Sequence, residues 1–495
     1  MLLSLPLYAV AALSLMVVVG LVRRLASPLR KVPGPPSSLL TSIVLRWREL
    51  NADRTAYIHK LHLRYGPVVR IAPNEVSFTS WLALKEIYCS GGSGYDKSNF
   101  YDLFKVYGRR TMFTMLNKTD HAKRKRLLAD RYANTSVMQP VSMQGMQERS
   151  QAFLGRCTSA SRNKTSEVFV ALHAYACDCI THHVFHPHGS DCLGRKADQD
   201  MMHQSTADDS LQNRLISHYS PTLHRLLASV LIMFVKPREV PLVDDYILGK
   251  SKRGDAASFT LLSHLGQKKS ELDAIDVAAE CLDHVVAGID TTGDSLCFLM
   301  WELSQPTSLT YQRRLTQELQ SNPGGAVDQL LLLDAIVCEG LRCYPPIPMS
   351  LPRLVPPEGR TIDGFWLPQQ TIVSCQAYSV HRINKDVFPE PDTFDPDRWL
   401  SSGGNVDKHR LLFAFANGGR GCVGKHLALA EMKTLLRDVY SKFSTTPDAS
   451  MTEESMAMYD QLISTRPLGQ RCLLQFKPLN NVVESGSNDT IGQLL

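Results

Sequence analysis

Apolar residues at three- and four-residue spacing run from about residue 81 to residue 341, and that period predicts a mainly helical body. Strand-like alternation is brief. Val68-Val69-Arg70-Ile71-Ala72 followed by Glu75-Val76-Ser77-Phe78 predicts a small hairpin, and Thr371-Ile372-Val373-Ser374-Cys375 a further strand inside a proline-rich stretch, residues 344–399. A last strong helix is expected after Gly424, with Leu427, Leu429, Ala430, Leu435 and Leu436 on its apolar side. The pattern is that of a mainly α protein with a minor β region.

The N-terminus is patterned differently. Residues 2–22 carry no charge and are mostly Leu, Val and Ala, about the length that spans a hydrocarbon core. A cleaved secretory signal would place its basic residues before the apolar run. Here Arg23, Arg24, Arg30 and Lys31 follow it, which favours a retained anchor with the rest of the chain cytosolic. Val32-Pro33-Gly34-Pro35-Pro36 cannot continue a helix and reads as a stiff hinge. No repeat or low-complexity linker follows. The expected organisation is therefore a membrane anchor over 1–22, a basic and proline-rich hinge over 23–36, and one catalytic domain over 37–495.

Composition narrows the classes. With 44% hydrophobic and 21% charged residues the chain has ample material for a large core. A net charge of +6 over 495 residues is too modest for a dedicated nucleic-acid binder, though it allows a local basic patch. The 12 cysteines are scattered, which suits reduced thiols in the cytosol better than a disulfide framework. On that side of a membrane the sequons at Asn117, Asn134, Asn163 and Asn488 are chance matches.

One cysteine has a distinctive context: Phe415-Ala416-Asn417-Gly418-Gly419-Arg420-Gly421-Cys422-Val423-Gly424, directly before the last predicted helix. The helix N-terminus would favour a Cys422 thiolate. Gly418, Gly421 and Gly424 permit close approach of a flat cofactor, Arg420 suits a carboxylate, and Phe415 can keep water from the sulfur. An ordinary Gly-rich turn around a buried cysteine is the plainer alternative, but it leaves the joint spacing of Phe, Gly, Arg and Cys unexplained.

A second run, Ala287-Gly288-Ile289-Asp290-Thr291-Thr292, sits inside an apolar stretch, residues 278–303. Ala287 and Gly288 leave space. Thr291 can bond back to the Ala287 carbonyl, and Asp290 can relay protons. Asp290 on a solvated face is the bland alternative, and its apolar neighbours Val285, Val286 and Ile289 argue against it. Glu339 and Arg342, three apart, would ordinarily be a surface ion pair of small value. The run His121-Ala122-Lys123-Arg124-Lys125-Arg126 reads as a solvated face or a nuclear signal, and a membrane anchor disfavours the signal. His182, His183, His186 and His188 lack the cysteine or carboxylate support of a metal site and are expected in a polar loop beside Pro187 and Gly189.

The cysteine loop matches the heme-binding signature of the cytochrome P-450 enzymes, and the other motifs follow in that family's order. The chain thus resembles a membrane-anchored, fungal-type member from the anchor onward. The resemblance implies the cytochrome P-450 fold with an N-terminal transmembrane helix, and heme b (iron protoporphyrin IX) with Cys422 as axial thiolate. It places Phe415, Gly418, Arg420, Gly424, His121, Ala287 and Gly288 around the cofactor, and gives Thr291 and Asp290 the catalytic delivery of protons. It also implies a buried network of Glu339, Arg342 and Arg398. His121 would meet the heme propionates; which of Arg124, Lys125 or Arg126 joins it stays open.

The implied activity is insertion of one oxygen atom from O2 into a mainly apolar small molecule in secondary-metabolite biosynthesis, with electrons from NADPH through a cytochrome reductase docked on the basic surface. Oxidative ring formation or rearrangement, or heme binding without oxygen chemistry, are the alternatives. The implied location is the endoplasmic reticulum membrane, single-pass, with the catalytic domain cytosolic and no nucleic-acid partner. Substrate contacts are expected from residues 100–115 (Phe100, Tyr101, Phe104, Met112, Phe113), from His284 and Val285, and from residues 345–351 with Ile347 and Met349.

Overall fold

A computed structural model of the chain describes residues 4–161, 165–206, 211–233, 239–267, 271–401, 403 and 405–479. The first three residues of the expected anchor, the sequons at Asn163 and Asn488, and the end of the expected catalytic domain lie outside the described residues.

Helices dominate, as the period predicts. Those that matter for the site are α1 (Ser4–Ala26), α2 (Lys118–Arg126), α3 (Pro140–Ser161), α4 (Val168–Phe185), α5 (Leu211–Tyr219), α6 (Pro221–Leu231), α7 (Ala274–Ser304), α8 (Leu331–Cys343) and α9 (Lys425–Tyr440). The organising element is α7, 31 residues and hence about 45 Å long. Asp273 starts it with a capping box: its carboxylate accepts the Asp276 amide at 2.7 Å, and the Asp276 side chain reaches back to the Asp273 amide. From Val277 onward most of α7 is buried, so it runs through the core rather than over it, packed along α4. The helix α4 passes the length and hydropathy requirements for a membrane span, but it is buried almost throughout and is a core helix.

The expected hairpin forms from β1 (Val68–Ala72) and β2 (Glu75–Phe78), paired Val68 to Phe78 with a bulge near Ile71. It extends into a five-stranded sheet with β3 (Asp96–Lys97), β4 (Arg353–Leu354) and β5 (Ile372–Cys375), in the order β1-β2-β5-β4-β3. This sheet brings Lys97 and Arg353 side by side, because β3 and β4 pair Lys97 with Arg353. A late hairpin, β6 (Met458–Asp460) and β7 (Thr465–Pro467), lies against α7.

Next to the core, Glu339 on α8 anchors the segment leading to the cysteine loop. Its fully buried carboxylate accepts Arg342 Nε (2.8 Å) and Nη2 (2.9 Å), Arg398 Nε (2.9 Å), Trp399 Nε1 (2.8 Å) and the Asp395 amide (2.9 Å). The exposed-pair alternative for Glu339 and Arg342 is therefore excluded.

Two further expectations are refined. The helix α1 runs past residue 22 through Arg23 and Arg24 to Ala26, and the segment after it packs down: Leu29 and Val32 are buried, and Arg70 Nη1 donates to both their carbonyls at 2.8 Å. His182 and His183 do not sit in a polar loop. They are buried at the end of α4, where Gly145 of α3 leaves the room that the His182 ring occupies. Apolar residues elsewhere face outward: Leu15 to Val18, Val22 and Leu25 on α1, and Leu223, Leu226 and Val230 on α6.

Candidate functional site

Where α7, the cysteine loop, β3–β4 and the β6–β7 turn converge, they enclose a cavity of about 380 Å³. Cys422, Phe415, Arg420 and Gly424 of the cysteine loop line it, as do Ala287, Gly288, Asp290 and Thr291 of α7, with His121 also in the wall. The two motifs, 131 positions apart from Thr291 to Cys422, thus border one space.

The cysteine loop is built by its backbone. The Cys422 amide donates to the Phe415 carbonyl at 2.8 Å, closing the loop just before α9. Gly418 has φ +73°, and a Cβ there would come within 2.0 Å of the Tyr88 carbonyl, so its freedom serves the turn against the neighbouring helix Trp81–Cys89. It is Gly421 and Gly424, not Gly418, that face the cavity. Cys422 carries accessible surface, but that surface opens onto the cavity, and its thiol behaves as a buried group. Burial pushes its pKa above the ordinary value, while the Gly424 and Lys425 amides and the Lys125 and Lys425 charges pull it down. A neighbouring cation would complete the ionisation, since a metal deprotonates the thiol it binds.

On the facing helix, the Thr291 hydroxyl donates to the Ala287 carbonyl at 2.6 Å, as its spacing predicts. Gly288 behaves otherwise than expected. A Cβ there would meet Ile180 of α4 at 2.7 Å, so this glycine admits a neighbouring helix as well as bordering the cavity. Asp290 lies 3.6 Å from Nη2 of Arg466 on β7, and Arg466 also donates to the Thr206 carbonyl at 3.0 Å.

Of the basic groups that line the cavity, Lys97, His121, Arg353 and Arg420 act on one another. Burial, then Lys97 and Arg420, lowers His121 to about 3. Burial and Arg353 bring Arg420 down to about 10, and Lys97 is held well below its ordinary value by burial, Arg353 and Arg420. Arg420 Nε and Nη1 and Arg353 Nε are buried without hydrogen-bond partners, and the carboxylate nearest Arg420 is Asp96 at 3.8 Å. Such a set is short of anionic acceptors. It fits a flat, apolar cofactor that carries carboxylates at one edge, with a thiol on one face.

The basic run of α2 resolves into separate tasks. Lys125 Nζ donates to the Gly419 carbonyl at 2.9 Å, Arg124 pairs with buried Glu280 at 2.7 Å, and Lys123 and Arg126 are exposed. Of the expected substrate contacts, Tyr101, Phe104, Met112, Phe113, His284 and Ile347 line the cavity. Val285 is packed in the core, and Phe100 and Met349 border a separate cavity on the other side of the same segments. Lys97, Arg353, Arg466, Asp283 and Glu431 were not singled out from the sequence. Glu431, nine residues after Cys422 on α9, is fully enclosed, receives the Thr292 hydroxyl at 3.4 Å and is pushed by burial to about 8.

Comparison with known proteins points the same way. The family model for Cytochrome P450 matches residues 33–473. The chain is 28% identical over 474 residues to the cytochrome P450 monooxygenase aflV of Aspergillus parasiticus, covering 91% of each chain. To the cytochrome P450 monooxygenase stcB of Emericella nidulans it is 28% identical over 472 residues, 90% of this chain and 88% of that one. To the cytochrome P450 monooxygenase tazI of Aspergillus terreus it is 28% identical over 493 residues, 94% and 97% respectively.

Proposed function

The chain belongs to the cytochrome P450 family, and from that membership we propose that it inserts one oxygen atom from O2 into a mainly apolar small molecule, with Cys422 as the axial thiolate. The family is one of oxidoreductases whose cofactor is heme b, a heme-thiolate centre. The observation that supports the assignment to these residues is that Cys422 and the Ala287–Thr291 run line one and the same cavity.

When bound, the heme supplies reductive activation of dioxygen under the push of its thiolate. Arg420, Lys97 and Arg353, with His121, would hold the propionates, which would satisfy the unpartnered guanidinium nitrogens. Phe415 keeps water from the Cys422 sulfur. The Thr291 hydroxyl would exchange its bond to the Ala287 carbonyl for one to a cavity ligand, and Asp290, its carboxylate facing Arg466, would relay a proton from solvent toward Thr291.

Electrons come from NADPH through a cytochrome reductase. Lys123, Arg126 and Lys425 are exposed beside the cysteine loop, a surface suited to an acidic partner. The catalytic domain, residues 37–495, sits on the cytosolic side of the endoplasmic reticulum membrane. The 23-residue α1, about 35 Å long, supports a single span over 1–22, and the exposed apolar face of α6 supports contact with the lipid surface. The features His121 and Asp290-Thr291-Thr292 support a substrate from secondary metabolism.

Reconstitution with a reductase and NADPH tests the proposal. Wild type should couple dioxygen uptake to an oxygenated product, and Thr291→Ala should keep its heme yet divert most electrons to peroxide. Full coupling in Thr291→Ala would remove Thr291 from the mechanism.

A further inference from the structure

Three carboxylates border the cavity from its helical walls, and two have evident partners. Asp290 faces Arg466 at 3.6 Å, and Glu431 receives the Thr292 hydroxyl. The third, Asp283, is used by nothing described so far. It lies four residues before Ala287 and seven before Asp290, so it shares their face of α7, about 10 Å along the axis from Asp290. The Thr111 hydroxyl is close enough to favour its charged form, and among the described residues Asp283 makes no ion pair within 4.0 Å. A carboxylate has roughly four acceptor positions, and Asp283 is part of the cavity lining.

We propose, building on the monooxygenase reading of this site, that Asp283 is a specificity-determining residue that receives the hydroxyl of an otherwise apolar alcohol or phenol. Tyr101, Phe104 and Phe113 supply the apolar walls around it. The choice of a neutral donor over an ammonium follows from the neighbourhood: Lys97 interacts electrostatically with Asp283, and a cationic substrate would have to settle beside it. Burial and Glu280 hold Asp283 at about 6, above the ordinary carboxylate range, so a donated hydrogen bond is also the interaction that best stabilises its charged form. The spacing orients the substrate. With its hydroxyl at Asp283, its other end lies one to two helical turns away, beside Ala287 and Thr291. A site built to bind a hydroxyl rejects the analogue that lacks it, because the polar group is left unpaired.

The test uses the full-length, heme-loaded ferric protein without reductase, titrated with 2-naphthol and with 2-methoxynaphthalene while the heme spin-state shift is followed. Wild type should bind the naphthol at least about tenfold more tightly than the ether, the size of one charge-assisted hydrogen bond. Asp283→Leu should bring the ratio to about one without weakening the ether. Asp283→Asn, which can still accept from Thr111, should lie between. A wild-type ratio near one, a ratio unchanged in Asp283→Leu, an equal loss for both probes in that variant, or no shift with either probe overturns the proposal. Failure of the wider reading would show separately, as a purified chain with no thiolate-ligated heme before any probe is added.

Discussion

Replacing Glu339 by Gln removes one charge from the most enclosed polar network near the site. Five donors converge on that carboxylate, and three of them belong to the guanidinium groups of Arg342 and Arg398. Gln keeps one acceptor oxygen and turns an N–H₂ toward groups that are themselves donors. Arg342 cannot escape to water, since it is fully buried and also held by the carbonyls of Pro391 (2.6 Å) and Thr393 (3.0 Å). Arg398 retains only Asp395 as a carboxylate neighbour, at 3.9 Å. Breaking a buried ion network by removing one partner costs about 3–5 kcal/mol. With an unfolding entropy of roughly 2.1 cal/mol/K per residue over about 450 residues, close to 1 kcal/mol/K, the thermal midpoint should fall by about 3–5 °C. Far-ultraviolet circular dichroism of the heme-loaded protein measures it. A fall under about 1 °C would refute the reasoning, because it would mean that the unpaired guanidiniums find water or other acceptors at no cost.

Three other outcomes follow from the geometry. Arg420→Leu should weaken heme retention severalfold in a competition with apomyoglobin, and Lys97→Met should add to the loss, whereas Lys123→Met on the exposed face of α2 should leave it unchanged. Glu431 titrates at about 8 in the folded chain against an ordinary value of 4.5, so its stabilising contribution is complete below pH 4.5 and is lost as pH rises through 8. Glu431→Gln should therefore flatten the decline of stability between about pH 5 and pH 8, and an unchanged slope would show that Glu431 is ionised at neutral pH. Deleting residues 1–26 and replacing Leu223, Leu226 and Val230 with Ser should release the protein from microsomes, while the deletion alone should leave a measurable fraction bound through α6.

Much of the site was legible because its chemistry is written in contiguous runs. The Phe415–Gly424 loop and the Ala287–Thr291 turn each place several functional groups within one short segment, and local backbone geometry does the rest. Residues gathered by tertiary structure were not legible in that way. Lys97 and Arg353 meet only because β3 pairs with β4, and Arg466 reaches Asp290 only through the β6–β7 hairpin. Helical rotation explains a near miss. Val285 and Asp283 are two positions apart, about 200° around α7, so one faces the core and the other the cavity. Phe100 and Met349 fall on the far side of the same wall for the equivalent reason in irregular backbone. Spacing places Gly288 where room is wanted, but spacing alone cannot say that Ile180 takes part of that room.

The central claim is that Cys422 ligates the heme iron, and the spectrum of the reduced, carbon monoxide-bound protein tests it most directly. Wild type should absorb at the long wavelength characteristic of thiolate ligation, and Cys422→His should move that band to the shorter wavelength of imidazole ligation with heme still bound. A short-wavelength band in wild type, or a long-wavelength band that survives in Cys422→His, would contradict it.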